Sequence, residues 1–483
     1  MAKPDRFRSI SPLDHRYWLA NHDLFEALAD HLGEEASVRY AVRVEVALLL
    51  ELLRRLPGSS CGADLERAIG AAAERVTADA VAAEERVTDH NVRALVNVLQ
   101  RELPAGVRHL VHVGATSYDI TDTANALRYR DALRNVIVPL LIRLERALID
   151  LTEREADTVQ VGRTHGQYAS PVTFGFAMAE YVARLGKAIV RISGRAGDLR
   201  GKLAGAVGAY NATSLLVDDA LELEQAVLRR LNLKPSETAT QIVEPEYLLA
   251  ALVEVGTAFG IIANLADDLR QLQRSEIDEV REPFGRRQVG SSTMPQKRNP
   301  WNCEHVKSLW KTFAPRIMTF YLDQVSEHQR DLTNSASARF VPEFVAGFAA
   351  AANRLLRVVD GLQVNRERMS LRLRDGTSEL VMAEAAYVLL AASGSADAHE
   401  QMRRLTVECE RRGVGLLDAA RADRAIWERL ERAVQARFAT TALEFFSHPE
   451  RYVGQAAAKA RAIAERYRGL MDGIAPAARS GDV

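Results

Sequence analysis

The stretch Leu133-Arg-Asn-Val-Ile-Val-Pro-Leu-Leu-Ile-Arg-Leu-Glu-Arg-Ala-Leu-Ile-Asp-Leu151 decides the fold class. Its apolar residues Leu133, Ile137, Leu140, Leu144, Leu148 and Leu151 recur every three or four positions with Arg and Glu between them. That spacing lays one apolar stripe along an α-helix rather than one face of a strand. The pattern returns at Phe174, Met178, Tyr181, Leu185 and Ile189, then from Leu248 to Leu272, and from Val306 to Phe320. No alternating block of comparable length competes with it. Each long helix must bury its stripe against a neighbour, so the sequence predicts an all-α chain around a central bundle of long helices.

Outward from the bundle, shorter helices are punctuated by Pro57-Gly58 and by Leu103-Pro104-Ala105-Gly106. Beyond Val364-Asn365-Arg366 come medium helices rich in Ala, Arg and Glu. A chain of 483 residues is also too long for one core. Three domains are expected: an N-terminal helical domain over 1–110, the central bundle over 111–364 and a C-terminal helical domain over 365–483. The closing Ser480-Gly481-Asp482 is expected to fray.

An apolar fraction of 47% with 26% charged residues excludes wholesale disorder. A formal charge of −1 leaves no global field to hold nucleic acid or an anionic membrane, so any anion must be bound locally. Cys61, Cys303 and Cys409 are too few and too scattered for a disulfide framework or a zinc site, which fits a reducing compartment. The opening Met1 to Ser11 has no apolar core of a secretory signal, and Phe344 to Ala352 is too short to span a bilayer. A cytoplasmic setting without a membrane helix is expected.

Four polar segments interrupt the helices. His112-Val-Gly-Ala-Thr-Ser-Tyr-Asp-Ile-Thr-Asp122 gathers hydroxyls before a helix start, which suits a carboxylate ligand or, more plainly, N-capping by Thr116, Ser117 or Asp119. Gly162-Arg-Thr-His-Gly-Gln167 sets an imidazole and an amide between two helices, although a lone histidine is often only a satisfied core residue. Gly290-Ser-Ser-Thr-Met-Pro-Gln-Lys-Arg-Asn-Pro300 combines three hydroxyls with Lys297 and Asn299; its bland counterpart is a surface turn with two prolines. Glu327-His-Gln-Arg-Asp-Leu-Thr-Asn-Ser-Ala-Ser-Ala-Arg339 offers Ser335 as an N-cap with Arg330 and Arg339 nearby, a phosphate cradle or a solvated charged face.

On these residues the chain resembles the fumarase/aspartase superfamily, and within it the adenylosuccinate lyase branch. Gly290 to Pro300 matches the superfamily signature: glycine, two serines, any residue, Met-Pro, any residue, Lys, any residue, Asn-Pro. Ser11-Pro-Leu-Asp-His-Arg-Tyr17, Thr116-Ser117, Gly162 to Gln167 and Arg330 to Arg339 extend the match over nearly the whole chain. The resemblance implies a lyase that splits a substituted succinate into fumarate and a leaving group. It implies Ser291 as general base and His165 as acid, with Ser292 and Thr293 beside the substrate. Thr116, Ser117, Thr164, Lys297 and Asn299 would hold the succinyl carboxylates. Arg16, Tyr17, Arg330, Ser335 and Arg339 would hold a nucleotide phosphate, while His90, Asn91, His112 and Gln241 complete the substrate contacts. It also implies a homotetramer with shared active sites, and no metal or organic cofactor.

The chemistry suits those residue types. A proton beside a carboxylate is weakly acidic, so the anion formed on its removal needs pre-placed donors and cations. A serine base needs positive surroundings in a water-poor pocket. The chain departs from the adenylosuccinate branch at Asn91, where an Asp is usual after the histidine, at Tyr118, where a small serine is common, and at Gln296 in a variable slot. Relatives with other leaving groups therefore stay open: nitrosuccinate lyase, 3-carboxymuconate cycloisomerase and argininosuccinate lyase. A non-enzymatic role, as in lens crystallins that resemble argininosuccinate lyase, calls for lost catalytic residues; Ser291, His165, Lys297 and Asn299 are all present.

Overall fold

A computed structural model describes residues 6–374 and 379–474, so the Ser480-Gly481-Asp482 tail lies outside the described residues. The chain is mostly helical. Ser117–Ala132 and Val138–Arg154 form one long rod through a π-turn at Leu133–Ile137. Pro139 has no amide hydrogen to give the carbonyl one turn earlier, and such a loss is absorbed where the helix widens. All six stripe residues from Leu133 to Leu151 are buried, and so are Phe174, Met178, Tyr181, Leu185 and Ile189 on helix Phe174–Asp198. Helices Glu246–Leu272, Trp301–Phe313 and Val341–Asp360 complete the bundle, with the Phe259 ring 5.5 Å from Trp310 and 5.4 Å from Phe348.

Three expectations need correction. The helical run from Val306 to Phe320 breaks at Ala314-Pro315, and a separate helix Arg316–Leu322 follows, because proline can start a helix but not continue one. The Gly162 to Gln167 segment does lie between two helices, but on an antiparallel hairpin of Val159–Thr164 and Gln167–Thr173. Thr164 pairs with Gln167, leaving His165-Gly166 as a two-residue turn with φ of 56° and 75°, the left-handed pair that matches strand twist. Third, the apolar runs include one longer than Phe344 to Ala352: Glu246–Leu272 is by length and composition apolar enough to cross a membrane. Here its apolar residues, Val255, Phe259, Ile262 and Ala266 among them, are buried inside the bundle.

The main apolar core runs from Leu13 to Met471 and takes in helices His22–Leu32 and Glu34–Arg55 as well as the bundle. A second core, from Leu373 to Phe445, also holds Val161 of the hairpin. The last helix, Ala456–Ile474, returns to pack on Val138–Arg154 and Phe174–Asp198. Gly186 permits that approach, since a Cβ there would stand 2.2 Å from the Tyr467 ring and 2.8 Å from Glu145 Oε1.

Glu145 belongs to the opening stretch, where periodicity sets it between stripe residues, yet helices close over it. It is fully buried and neither carboxyl oxygen has a hydrogen-bond partner among the described residues. Burial pushes its carboxyl well above the ordinary value of 4.5. A raised folded-state pKa means that stability is fully present below 4.5 and is lost as pH rises through the folded value. Glu145→Met is therefore expected to raise the thermal midpoint by about 2 °C or more at pH 8, and by less at pH 5. Circular dichroism melts at both pH values check this; an equal or larger gain at pH 5 would overturn it.

Candidate active site

Residues between Gly285 and Pro300 form neither helix nor strand, and turns bring the segment back on itself. Lys297 N–H donates to Met294 O at 3.1 Å, and Asn299 Nδ2 to Gly290 O at 3.2 Å. Gly290 is needed at the crossing because a Cβ would stand 2.2 Å from Lys297 O. Ser291 Oγ accepts the amide hydrogens of Thr293 at 3.3 Å and Met294 at 3.0 Å. An oxygen already facing two donors is better able to carry negative charge than a free hydroxyl. Ser292, Thr293 and Lys297 are exposed around it. The helix that follows is capped by Glu282, which accepts from the amides of Asn302 at 3.2 Å and Cys303 at 2.7 Å.

Arg16 and Tyr17 pack beside that helix. Tyr17 Oη lies 2.8 Å from His305 Nε2, and Arg354 lies over the Trp301 ring at 4.8 Å. Burial, then the Arg354 and Arg16 charges, hold the His305 imidazole below its ordinary range. His305 and Arg354 escaped the sequence reading because each sits in an otherwise ordinary helical pattern; only the fold sets them beside Tyr17.

At the hairpin tip, Thr164, His165 and Gln167 are exposed. The hairpin root is tied to the strand leading into the signature loop: Glu279 accepts from Gln160 Nε2 at 2.8 Å and from the Arg163 guanidinium at 3.1 and 2.5 Å.

A third group forms around the start of helix Ser117–Ala132. Thr116 N–H donates to Asp119 Oδ2 at 2.8 Å, so N-capping is real here and coexists with half-exposed Thr116 and Ser117 hydroxyls. Asp119 is fully buried and also takes the amides of Ala204 at 3.0 Å and Gly205 at 3.2 Å, together with the ammonium of fully buried Lys202. Asp122, two turns from Ser117 at most, accepts the Val243 amide at 3.0 Å and so pins the segment that carries Gln241. Its carboxyl is pushed up to about 7 by burial, against the Val243 hydrogen bond and the Lys202 charge. His90 and Asn91 start helix Asn91–Glu102, with His90 Nδ1 accepting from Arg93 N at 3.1 Å and Asn91 Oδ1 from Val92 N at 2.8 Å. Lys202 was missed by the sequence reading, although a single lysine within Gly201-Lys-Leu-Ala-Gly205 was a visible signal.

The fourth segment departs from expectation. Ser335 is exposed and is not an N-cap: its amide donates to Leu332 O at 3.0 Å, and a short 3₁₀ turn begins only at Ser337. Asp331 instead organises the turn by accepting the Thr333 amide at 2.9 Å. Arg330 has a left-handed φ of 85° and donates to Ser326 Oγ at 2.8 Å, its buried Nε having no partner among the described residues, while Arg339 is exposed. Asn334 and Ala338 share a cavity with Asp122, Ile242 and Val243, so this segment joins the third group in one chain. Ser291 and His165 lie on separate exposed elements, the loop and the hairpin tip.

Comparison with known proteins agrees over most of the chain. A family model described as lyase matches residues 50–312, and one described as adenylosuccinate lyase C-terminal matches residues 326–435. The adenylosuccinate lyase of Pyrococcus abyssi is 33% identical over 86% of this chain and 90% of its own length. That of Pyrococcus horikoshii is 32% identical over 93% of this chain and 96% of its own. Among solved structures, the 3-carboxy-cis,cis-muconate lactonizing enzyme of Pseudomonas putida superposes with a TM-score of 0.77 at 25% identity, covering 93% of this chain and 97% of that one. A fumarate lyase from Mesorhizobium gives 0.78 at 23% identity, with 92% and 97% covered, and shows the shared fold.

Proposed function

The chain belongs to the fumarase/aspartase superfamily of lyases, and from that premise we propose that it cleaves the C–N bond of adenylosuccinate to give AMP and fumarate. Ser291 Oγ takes the proton from the succinyl carbon beside a carboxylate, and the electron pair left behind is stabilised in that carboxylate by Lys297, Asn299, Thr116, Ser117 and Thr164. The C–N bond then breaks, and His165 gives its proton to the departing nitrogen. The observation that carries the reading is Ser291 Oγ facing two amide donors within a loop that also bears Lys297.

The separation of loop, hairpin tip and Thr116-Ser117 onto different exposed elements supports a site completed by several copies of the chain, and a homotetramer is part of the proposal. So is the division into domains at about residues 110 and 364. A cytoplasmic setting is supported by three cysteines that all remain free thiols.

The test is fumarate release from adenylosuccinate together with calorimetric titration of AMP. AMP is expected to bind the wild type saturably, and Arg330→Ala or Arg339→Ala to weaken it by roughly 1.5–3 kcal/mol, about one to two powers of ten. Absence of saturable binding at millimolar AMP would overturn the adenylosuccinate assignment. A second reading, with a small leaving group such as nitrite, is favoured by Asn91, whose side-chain oxygen is engaged by its neighbour's amide and carries no charge for a purine. In that case nitrosuccinate yields fumarate and AMP neither binds nor inhibits.

A further inference from the structure

His112 stands at the turn before Thr116 and Ser117 with a left-handed φ of 65°, a conformation that a non-glycine residue keeps only where its surroundings hold it. Its Nδ1 lies 2.7 Å from Oε1 of Glu45, in the middle of helix Glu34–Arg55. Glu45 is fully buried, and its other oxygen, Oε2, has no partner among the described residues. A buried carboxylate with one oxygen unpaired is costly unless a cation stands beside it, and the imidazole is the group within reach. The His112 side chain keeps 20% of its surface open, and its second nitrogen has no partner among the described residues.

We propose that Glu45 is a positioning residue: it fixes the His112 ring by its Nδ1–H and makes Nε2–H a cationic donor, beside Thr116 and Ser117, for a carboxylate of the substrate. The proposal rests on the reading of Thr116 and Ser117 as carboxylate contacts. The groups facing the ring come from three helices. Burial alone lowers its proton affinity; Glu45 on Glu34–Arg55 and Asp119 on Ser117–Ala132 raise it, Arg93 on Asn91–Glu102 lowers it, and the net result is a raised pKa.

The test is Glu45→Gln, which keeps shape and an acceptor but removes the charge. Selective labelling of the 11 histidines, with His112 assigned through His112→Gln, lets its titration be followed by NMR in the folded, assembled protein. In the wild type the His112 midpoint should lie above that of free histidine, and in Glu45→Gln it should fall by about one unit, a tenfold loss of proton affinity. With fumarate release as readout, KM in the variant should climb as pH rises through the new midpoint, while kcat at low pH stays close to wild type. A His112 titration unmoved by Glu45→Gln, or a KM change without pH dependence, would overturn the proposal. If Glu45→Gln does not fold, the wild-type spectrum alone decides: a neutral His112 at pH 7 sinks it. Because NMR reads the dyad without turnover, a wild type that releases no fumarate defeats the functional reading and leaves the Glu45–His112 result to stand or fall separately.

Discussion

Ser291→Ala is expected to lower kcat by about 10²–10⁴-fold, the usual worth of a positioned general base, with far-UV circular dichroism unchanged. The size follows from what the side chain does. Its Oγ accepts two amide hydrogens and holds no buried neighbour in place, so deleting it removes a proton acceptor and leaves the packing alone. Asn299 Nδ2 and Lys297 N keep the loop folded through bonds that do not involve the serine. KM should therefore change little while kcat falls, the signature of an interaction made in the transition state. Wild-type turnover in Ser291→Ala would move the base elsewhere and remove the main support for the proposed mechanism.

Lys202→Met is expected to destabilise the fold by about 3–5 kcal/mol, because it leaves Asp119 buried without its cation. Lys202 and Asp119 are both fully buried, and Lys202 Nζ also donates to Gly205 O at 3.2 Å. The three amides on Asp119 offset part of its desolvation but bring no net positive charge. Nearby Glu224, nearly buried, binds the Leu203 amide and Tyr210 Oη, both at 2.7 Å, so the pocket already holds a second acid. Burial, with the nearby Asp119 charge adding to it, raises the Glu224 carboxyl, against the Leu203 and Tyr210 hydrogen bonds. Urea unfolding measures the loss, and adding Asp119→Asn to Lys202→Met should recover part of it by removing the stranded charge. A loss below about 1 kcal/mol would mean that water reaches the pair and that it behaves as a surface salt bridge. Since Asp119 also holds the Thr116 amide, the surviving folded protein should bind its substrate more weakly.

The amino-acid sequence by itself determined the helical class, the buried stripes of the bundle helices and the chemistry-bearing segments, because each is local. A stripe such as Leu133 to Leu151 repeats within one turn of its own helix, and all six of its members are buried. The dense loop from Gly290 to Pro300 is likewise legible, since a crossing that admits only glycine and a run of hydroxyls leave their mark in consecutive residues. Tertiary structure alone decided what depends on partners distant in the chain. Glu145 has the spacing of a solvated residue but sits in the core, because helix Ala456–Ile474 closes over it at Gly186. Ser335 has the look of a helix cap, but the turn is organised by Asp331, and the 3₁₀ turn begins only at Ser337. Glu45 lies 67 positions before His112 and Lys202 lies 83 after Asp119, and no periodicity relates either pair. A charge inside a helical pattern costs or contributes according to what stands opposite it, and in a bundle of long helices that neighbour is set by packing rather than by adjacency.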